Sequence, residues 1–327
     1  MKKLGLLITL VLAVTACTKE PVNTKVKGDV FGTFYEVTYH SETNENYRTQ
    51  FDSLFTVINN SMSNYQTDSD IAKYNRREIE VVDNHFVNVF IASKKIFKET
   101  KGVFDPTIGI LVNAWDFGSE KNPKPIDSVK VDSLMQYVGF NRMLLSGNRI
   151  RESYPRPYLD FNAIAKGYAV DVIGDFLLRE KVTNFMVNVG GELVARGQNV
   201  ETKKGWTVGI ENPNFDGSQT YDKVFVLKDE AMATSGTYRK FKIDENGNRY
   251  AHIIDTKTGY PTKTNILSAS VIAENCMLAD GYATALQAMG LEGVKQFLSK
   301  HKELKAYIIF ENENKEYESI GFNNFPE

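Results

Sequence analysis

Cysteine and histidine are scarce in this chain: its 327 residues include two of the first and four of the second. Neither shows the paired spacing that a zinc site built from nitrogen and sulfur requires. Any resident metal is therefore expected to be a hard cation held by oxygen. Charge of one sign is lacking as well. With 39 basic against 41 acidic residues and a net charge of -2, the chain has no basic stripe for nucleic acid, which excludes that class of partner. The apolar stretch from Leu4 to Val14 is too short to cross a bilayer as a helix, which takes about 20 residues. Low-complexity linkers and internal repeats are also missing beyond the N-terminal region.

What the N-terminus does have is a charged start, Met1-Lys2-Lys3, then the short apolar stretch, then Thr15-Ala16-Cys17. This is the layout of an export signal. Cys17 directly after Val14-Thr15-Ala16 resembles the bacterial lipobox, which implies removal of residues 1–16 and acylation of the Cys17 thiol. The rival reading is a plain signal peptide cut nearby, with Cys17 left as a spare thiol. Acylation would leave Cys276 alone, so a disulfide framework is excluded even in a compartment that permits one. Residues 17–26 then read as lipidated cysteine and tether, and 27–327 as the folded part, long enough for one large domain or two intimately joined ones. The expected location is a bacterial membrane, lipid-anchored and facing the periplasm.

Helices and strands mix in a mostly antiparallel order, so the expected class is α+β. A strand is expected at Thr33 to Tyr39, and a helix through Phe51, Leu54, Phe55, Ile58 and Met62, whose spacing is helical. A second helix is expected from a cap at Asn84 to Gly102, then a loop, "GVFDPTIGILVNAWDFG". Strands follow at Phe185 to Val189, before Gly190-Gly191, and at Trp206 to Ile210. Asn246-Gly247 suggests a hairpin between Lys240 to Ile243 and Tyr250 to Ile254. Ile266 to Ala273 reads as a strand, Cys276 to Met289 as a helix stopped by Gly290, Leu291 to His301 as another helix, and Lys305 to Phe310 as a closing strand.

Two segments suggest chemistry together. In "LDFNAIAKGYAVD", Asp160 is expected at a strand end, Asn162 as a helix cap, and Lys166 in the helix's first turn. Unpaired amides and the helix dipole there suit a bound phosphate. An ordinary cap with a solvated lysine is the competing reading. Asp280 and Thr284 are four residues apart on a helix and project from one face. Either they are surface polar residues, or they offer oxygen to Mg²⁺, with waters and phosphate oxygens completing the octahedron. Both segments make sense together if they grip one pyrophosphate. His252 and Asp255 in "HIIDTKTGYP" are expected at a strand end, where His252 is either structural or a general base. Thr234-Ser235-Gly236 offers hydroxyls and backbone donors or is a simple turn. Phe31, Tyr65, Phe104, Trp115 and Phe117 fall in or beside loops, where a planar ring system can stack.

In chain order, "FGTFYEV", "MSNYQTDSDIAKYN", "GVFDPTIGILVNAWDFG", "LDFNAIAKGYAVD", "VNVGGELVARG", "WTVGIENP", "AMATSGTY", "HIIDTKTGYP" and "LADGYATAL" resemble the ApbE family, the FAD:protein FMN transferases, from about residue 28 to 310. The resemblance implies a T-fold-like α+β architecture, with mostly antiparallel sheets, packed helices and an FAD cleft. It implies Mg²⁺-dependent transfer of FMN from FAD to a threonine of a target flavoprotein, with release of AMP. Carried over by motif, Phe31 stands where the family usually has Met, and Tyr65 falls at the flavin-stacking position. Phe104 and Asp105 belong to the "FDPT" block on FAD, Asp160 and Lys166 match cofactor contacts, and His252 and Ile254 lie in a block that reaches FAD. The Ala163 carbonyl, Asp280 and Thr284 match metal ligands, with Asp280 and His252 the catalytic candidates and His252 the candidate base. Thr256 replaces the common Pro after Asp255.

Some relatives carry Asn at the Tyr65 position and are associated with FAD pyrophosphatase activity, so Tyr favours transfer. The alternatives are a Mg²⁺-dependent FAD pyrophosphatase giving FMN and AMP, and a non-catalytic FAD-binding lipoprotein. The resemblance implies acceptors such as subunits of sodium-pumping NADH:quinone oxidoreductases, Rnf-type complexes or exported reductases, without choosing among them.

Overall fold

The computed structural model describes residues 20–120, 126–238, 241–243 and 249–327. The expected signal peptide, Cys17, Lys240 and the expected turn at Asn246-Gly247 lie outside the described residues. Among the described residues, no helix is long and apolar enough to cross a membrane.

The chain begins with a hairpin, β1 (Thr24–Val30) and β2 (Thr33–His40), followed by α1 (Arg48–Met62), α2 (Asp70–Asn75), α3 (Asn84–Glu99), α4 (Gly109–Ala114) and α5 (Ser128–Met135). A small hairpin, β3 (Met143–Ser146) with β4 (Arg149–Glu152), leads to α6 (Ala165–Arg179). Then come β5 (Asn184–Val189), β6 (Glu192–Arg196), β7 (Trp206–Glu211), β8 (Tyr221–Leu227), β9 (Ala231–Gly236), β10 (Phe241–Ile243) and β11 (Arg249–Ala251). β12 (Ile266–Ala273), α7 (Cys276–Leu298), β13 (Lys305–Glu311) and β14 (Tyr317–Phe322) close the chain.

Eight strands form one sheet in the order β1-β2-β5-β6-β9-β12-β13-β14, and its neighbours are antiparallel throughout. The class is α+β, as expected. Alternation along the strands sends side chains to opposite faces. Val194, Ala233, Val271 and Ile308 point into the core shared with α1, α3, α6 and α7. Leu193, Met232, Ile272 and Ile309 point the other way, against Trp206, Val208, Phe225 and Leu227 of the β7–β8 ribbon. Both faces of the central strands are thus covered, which is why β6 and β12 are buried almost without alternation.

Several boundaries differ from the sequence reading. β1 occupies part of the presumed tether: Val26 is buried, while Lys25 and Lys27 reach across to Glu36 on the solvent side. β14, whose residues are mostly exposed, adds an edge strand that no apolar pattern announces. The cap of α3 is Asp83 rather than Asn84, its carboxylate accepting from the Phe86 N–H at 2.7 Å. The segment after Gly102 is not a loop throughout, since it folds into a 3₁₀ turn, Pro106–Ile108, and α4. The partner of Phe241–Ile243 ends at Ala251, and Ile254 forms only an isolated bridge to Pro261. Gly290 breaks α7 as expected, with φ 68° and ψ 163°.

Candidate active site

A cleft of about 850 Å³ opens at one end of the sheet, towards the upper end of the roughly 300–1,000 Å³ usual for small-molecule sites. Its rim includes two tight hairpin turns. Phe31-Gly32 joins β1 to β2 with φ 51° and 73°, and Gly190-Gly191 joins β5 to β6 with φ 61° and 111°. Positive φ at both central residues matches the twist of the paired strands. Glycine adopts it freely, whereas Phe31 holds it at a cost and lays its ring edge-on to Phe55 at 5.7 Å.

The floor of the cleft is the crossing of α6 and α7. Gly167 permits the approach: a Cβ there would sit 2.3 Å from the Cys276 carbonyl oxygen and 2.8 Å from the Asp280 Cβ. At this contact the Gly167 N–H donates to Asp280 Oδ2 at 2.9 Å. Asp280 is only 4% exposed, so it is not a surface residue. Burial pushes its carboxyl above the usual range, and Lys166 opposes that shift. One turn on, Thr284 Oγ1 lies 3.1 Å from Ser235 Oγ at the end of β9. The Lys166 ammonium pairs with Glu192 Oε1. Burial works against its charge, but Glu192 and then Asp280 outweigh it and hold Lys166 above its ordinary range. Glu192, 2% exposed, is pushed up to about 7 by burial, against the pull of Lys166.

The approach to α6 differs from the expectation. Asp160 is not at a strand end; the preceding Leu159 is held in extended geometry by Asn75, which bonds both its N–H and its carbonyl at 2.8 Å. Asn162 does not cap α6. Its N–H donates to Asp160 Oδ1 at 2.7 Å, and Ile164 occupies the cap position without a side-chain bond. Asp280 also takes one of the first-turn amides expected to serve phosphate. Lys166 does lie in that turn, and Asp160, Ala163, Lys166, Asp280 and Thr284 all line the cleft.

The remaining candidates divide. Phe31, Tyr65, Phe104, Asp105, Phe117, His252 and Ile254 line the cleft. Tyr65 is 60% exposed. The carboxylate of Asp105 is turned inward, accepting from the Thr107 N–H at 2.8 Å, the Thr107 hydroxyl at 2.6 Å and the Phe140 N–H at 3.1 Å, so it braces the wall. Phe117 places its ring 6.4 Å from that of His252. Trp115 lies outside the cleft lining, its indole N–H donating to the Gly259 carbonyl at 2.8 Å. Asp255 is spent on its own turn, accepting from the Lys257 and Thr258 amides at 2.7 and 3.1 Å.

Among the described residues, no three His, Cys, Asp or Glu side chains gather as a metal cluster. The cleft offers oxygen instead: the buried Asp280 carboxylate and the Thr284 hydroxyl line it together with Ala163, whose backbone carbonyl would be a third donor. So sparse a set fits Mg²⁺, which keeps waters and takes phosphate oxygens rather than a full protein cage. Charge agrees, since Lys166 faces two carboxylates, Asp280 and Glu192, and these three groups together are one positive charge short when both acids are ionised.

Residues 31–308 match the sequence model of the ApbE family. The chain belongs to the ApbE family. It is 33% identical to the FAD:protein FMN transferase of Haemophilus influenzae over 96% of this chain and 95% of that one. The enzyme of the same name from Vibrio cholerae is 31% identical, with 96% of each chain covered. The solved flavin transferase ApbE from Vibrio cholerae superposes with a TM-score of 0.85 at 29% identity, covering 93% of this chain and 98% of that one. The apo flavinyl transferase ApbE of Pseudomonas stutzeri has the same fold, with a TM-score of 0.83 at 24% identity over 93% and 96% of the two chains.

Two residues of this ApbE-family site escaped the reading of the sequence. Glu192 stands in "GGELVA", a lone acid between a glycine turn and an apolar strand; a charge in that position has to be buried and therefore needs a partner. Gly167 stands inside a helix, where glycine costs about 1 kcal/mol against alanine, and such a cost points to a close approach.

Proposed function

We propose that the protein transfers FMN from FAD to a threonine hydroxyl of a flavoprotein acceptor, using Mg²⁺ and releasing AMP. The observation that carries this reading is the meeting of Lys166, Asp280 and Thr284 in one cleft, although the lysine and the two oxygen donors come from distant parts of the chain. Relatives of the family bear the name of this activity.

In the proposed reaction the threonine oxygen forms a bond to the FMN-side phosphorus, the bond from that phosphorus to the bridging oxygen breaks, and AMP leaves with the electron pair. His252 takes the threonine proton. Lys166 holds the diphosphate by charge, and the cleft walls position the flavin; such positioning and electrostatic support carry most of phosphoryl transfer. Asp280, Thr284 and the Ala163 carbonyl would hold Mg²⁺, which when bound neutralises charge growing on the diphosphate. Phe31, Phe104 and the exposed Tyr65 supply aromatic surface for the ring systems. Acylated Cys17 would tether the domain to a bacterial membrane facing the periplasm, where exported or membrane-bound acceptors carry the threonine.

The test is mass spectrometry of an acceptor peptide after incubation with protein, FAD and Mg²⁺. One FMN on threonine, with equimolar AMP, is expected. Rapid AMP release without acceptor and no labelled peptide would replace transfer by hydrolysis. Intact FAD after long incubation with Mg²⁺ and acceptor would leave a binding protein.

A further inference from the structure

Glu192 is a costly residue to bury where it stands. One carboxylate oxygen, Oε1, holds the lysine. The other, Oε2, is buried without a hydrogen-bond partner, on a side chain that lines the cleft. A buried carboxylate kept in this condition costs stability, and β6 would pack its first residue as well with an apolar side chain. The carboxylate therefore has a use in the cleft.

Lys166 has two neighbours of opposite charge, Glu192 and Asp280, and both act on it electrostatically. Its four-carbon stem is flexible and its ammonium is a compact point charge that can turn from one carboxylate to the other. Asp280 already gives Oδ2 to the Gly167 N–H. An ammonium seated on Oδ1 would compete with a cation for that oxygen and would add like charge beside it.

We propose that Glu192 is a positioning residue that draws the Lys166 ammonium off Asp280, so that the lysine serves the diphosphate while the second Asp280 oxygen serves the divalent cation. Glu192 touches neither substrate nor cation in this arrangement; it acts through Lys166. The turn Gly190-Gly191 places it there, because it fixes Glu192 opposite Val189 at the first position of β6. This inference rests on Asp280 as a metal ligand.

The test reads cation binding, without turnover, in the full-length protein. Mn²⁺ affinity is measured by electron paramagnetic resonance for the unaltered protein, Glu192→Asp, and Glu192→Asp combined with Lys166→Met. Aspartate keeps the negative charge but shortens the reach by about 1.5 Å, one carbon–carbon bond. A pure charge effect leaves Mn²⁺ binding unchanged in Glu192→Asp. Release of Lys166 onto Asp280 weakens it about ten-fold or more, the scale of a competing charged hydrogen bond, and removal of the lysine in the double variant restores it.

Unchanged affinity in Glu192→Asp overturns the proposal, and so does weakened affinity that Lys166→Met does not recover, which would mark a merely structural role. If the unaltered protein binds no Mn²⁺, the metal reading of Asp280 falls, and this inference falls with it.

Discussion

Replacing Gly167 by alanine tests the architecture of the site with a single methyl group. In an ordinary helix interior the change stabilises by about 1 kcal/mol, because alanine is the better helix former. Here the added carbon would lie 2.3 Å from the Cys276 carbonyl oxygen, 2.7 Å from its carbon and 2.8 Å from the Asp280 Cβ. Contacts between such atoms sit near 3.5–4.0 Å, so α6 and α7 must part by roughly an ångström. Two of the three atoms are backbone, so no side-chain rotation relieves the clash. Overpacking of this kind costs about 1–3 kcal/mol. Parting the helices also weakens the 2.9 Å bond from the Gly167 N–H to Asp280, and a hydrogen bond to a charged group is worth about 1.5–3 kcal/mol. Against the propensity gain, a net loss of about 2–4 kcal/mol is expected. Urea unfolding gives the stability, and labelling of an acceptor peptide across a Mg²⁺ series gives the function. Gly167→Ala should unfold earlier and need more Mg²⁺. A variant as stable as the unaltered protein, with the same Mg²⁺ dependence, refutes the claim that this contact sets the cation site.

Asp280→Ala should lower FMN transfer by about a thousand-fold or more, the equivalent of some 4 kcal/mol in barrier; near-normal labelling would reject Asp280 as a ligand. For His252→Ala, single-turnover transfer between about pH 6 and 9 should slow by about 10²–10⁴, as expected for a lost base, and an unchanged profile removes that role. Asp171 accepts from the Cys276 and Met277 amides at 2.8 Å, and burial pushes its carboxyl up to about 7. Because the folded value exceeds the unfolded one, its contribution is full below about pH 4 and is lost as pH rises through 7, with a slope of at most about 1.4 kcal/mol per pH unit. Urea midpoints of Asp171→Asn should show a flatter decline over that window, and an identical slope would contradict the assignment. Phe31→Gly relieves a positive-φ residue worth about 1–2 kcal/mol, so its thermal stability should hold while its KM for FAD rises; a fall in stability with unchanged KM would make Phe31 structural.

The α7 region was legible because its signals are local. Gly290 ended the apolar run, and the four-residue spacing put Asp280 and Thr284 on one face. Where the deciding partner is distant, the same reasoning went astray. Asp160 and Asn162 spell a helix cap in sequence, but the acid that serves the first turn of α6 is Asp280, which only tertiary packing brings there. The short α4 has too few turns for apolar periodicity, though Asp105 followed by Pro106 is itself a helix-start signal. β1 was hidden by its charged outward residues, Lys25 and Lys27, which find Glu36 only once β2 lies alongside. The partner of Glu192 was hidden for the same reason, since Lys166 reaches it only once α6 packs on β6.

The hydrogen bond between Gly167 and Asp280 spans 113 residues, which gives the reactive centre a very high contact order. A chain emerging N-terminus first presents α6 and β6 well before α7, and so carries the lysine–glutamate pair without the carboxylate that completes it. Long-range closure of this kind is among the last steps of folding. With Asp280 in its proposed role, flavin chemistry would be acquired all at once, with the docking of α7, and a polypeptide clipped before Cys276 would have no partial form of it to misuse.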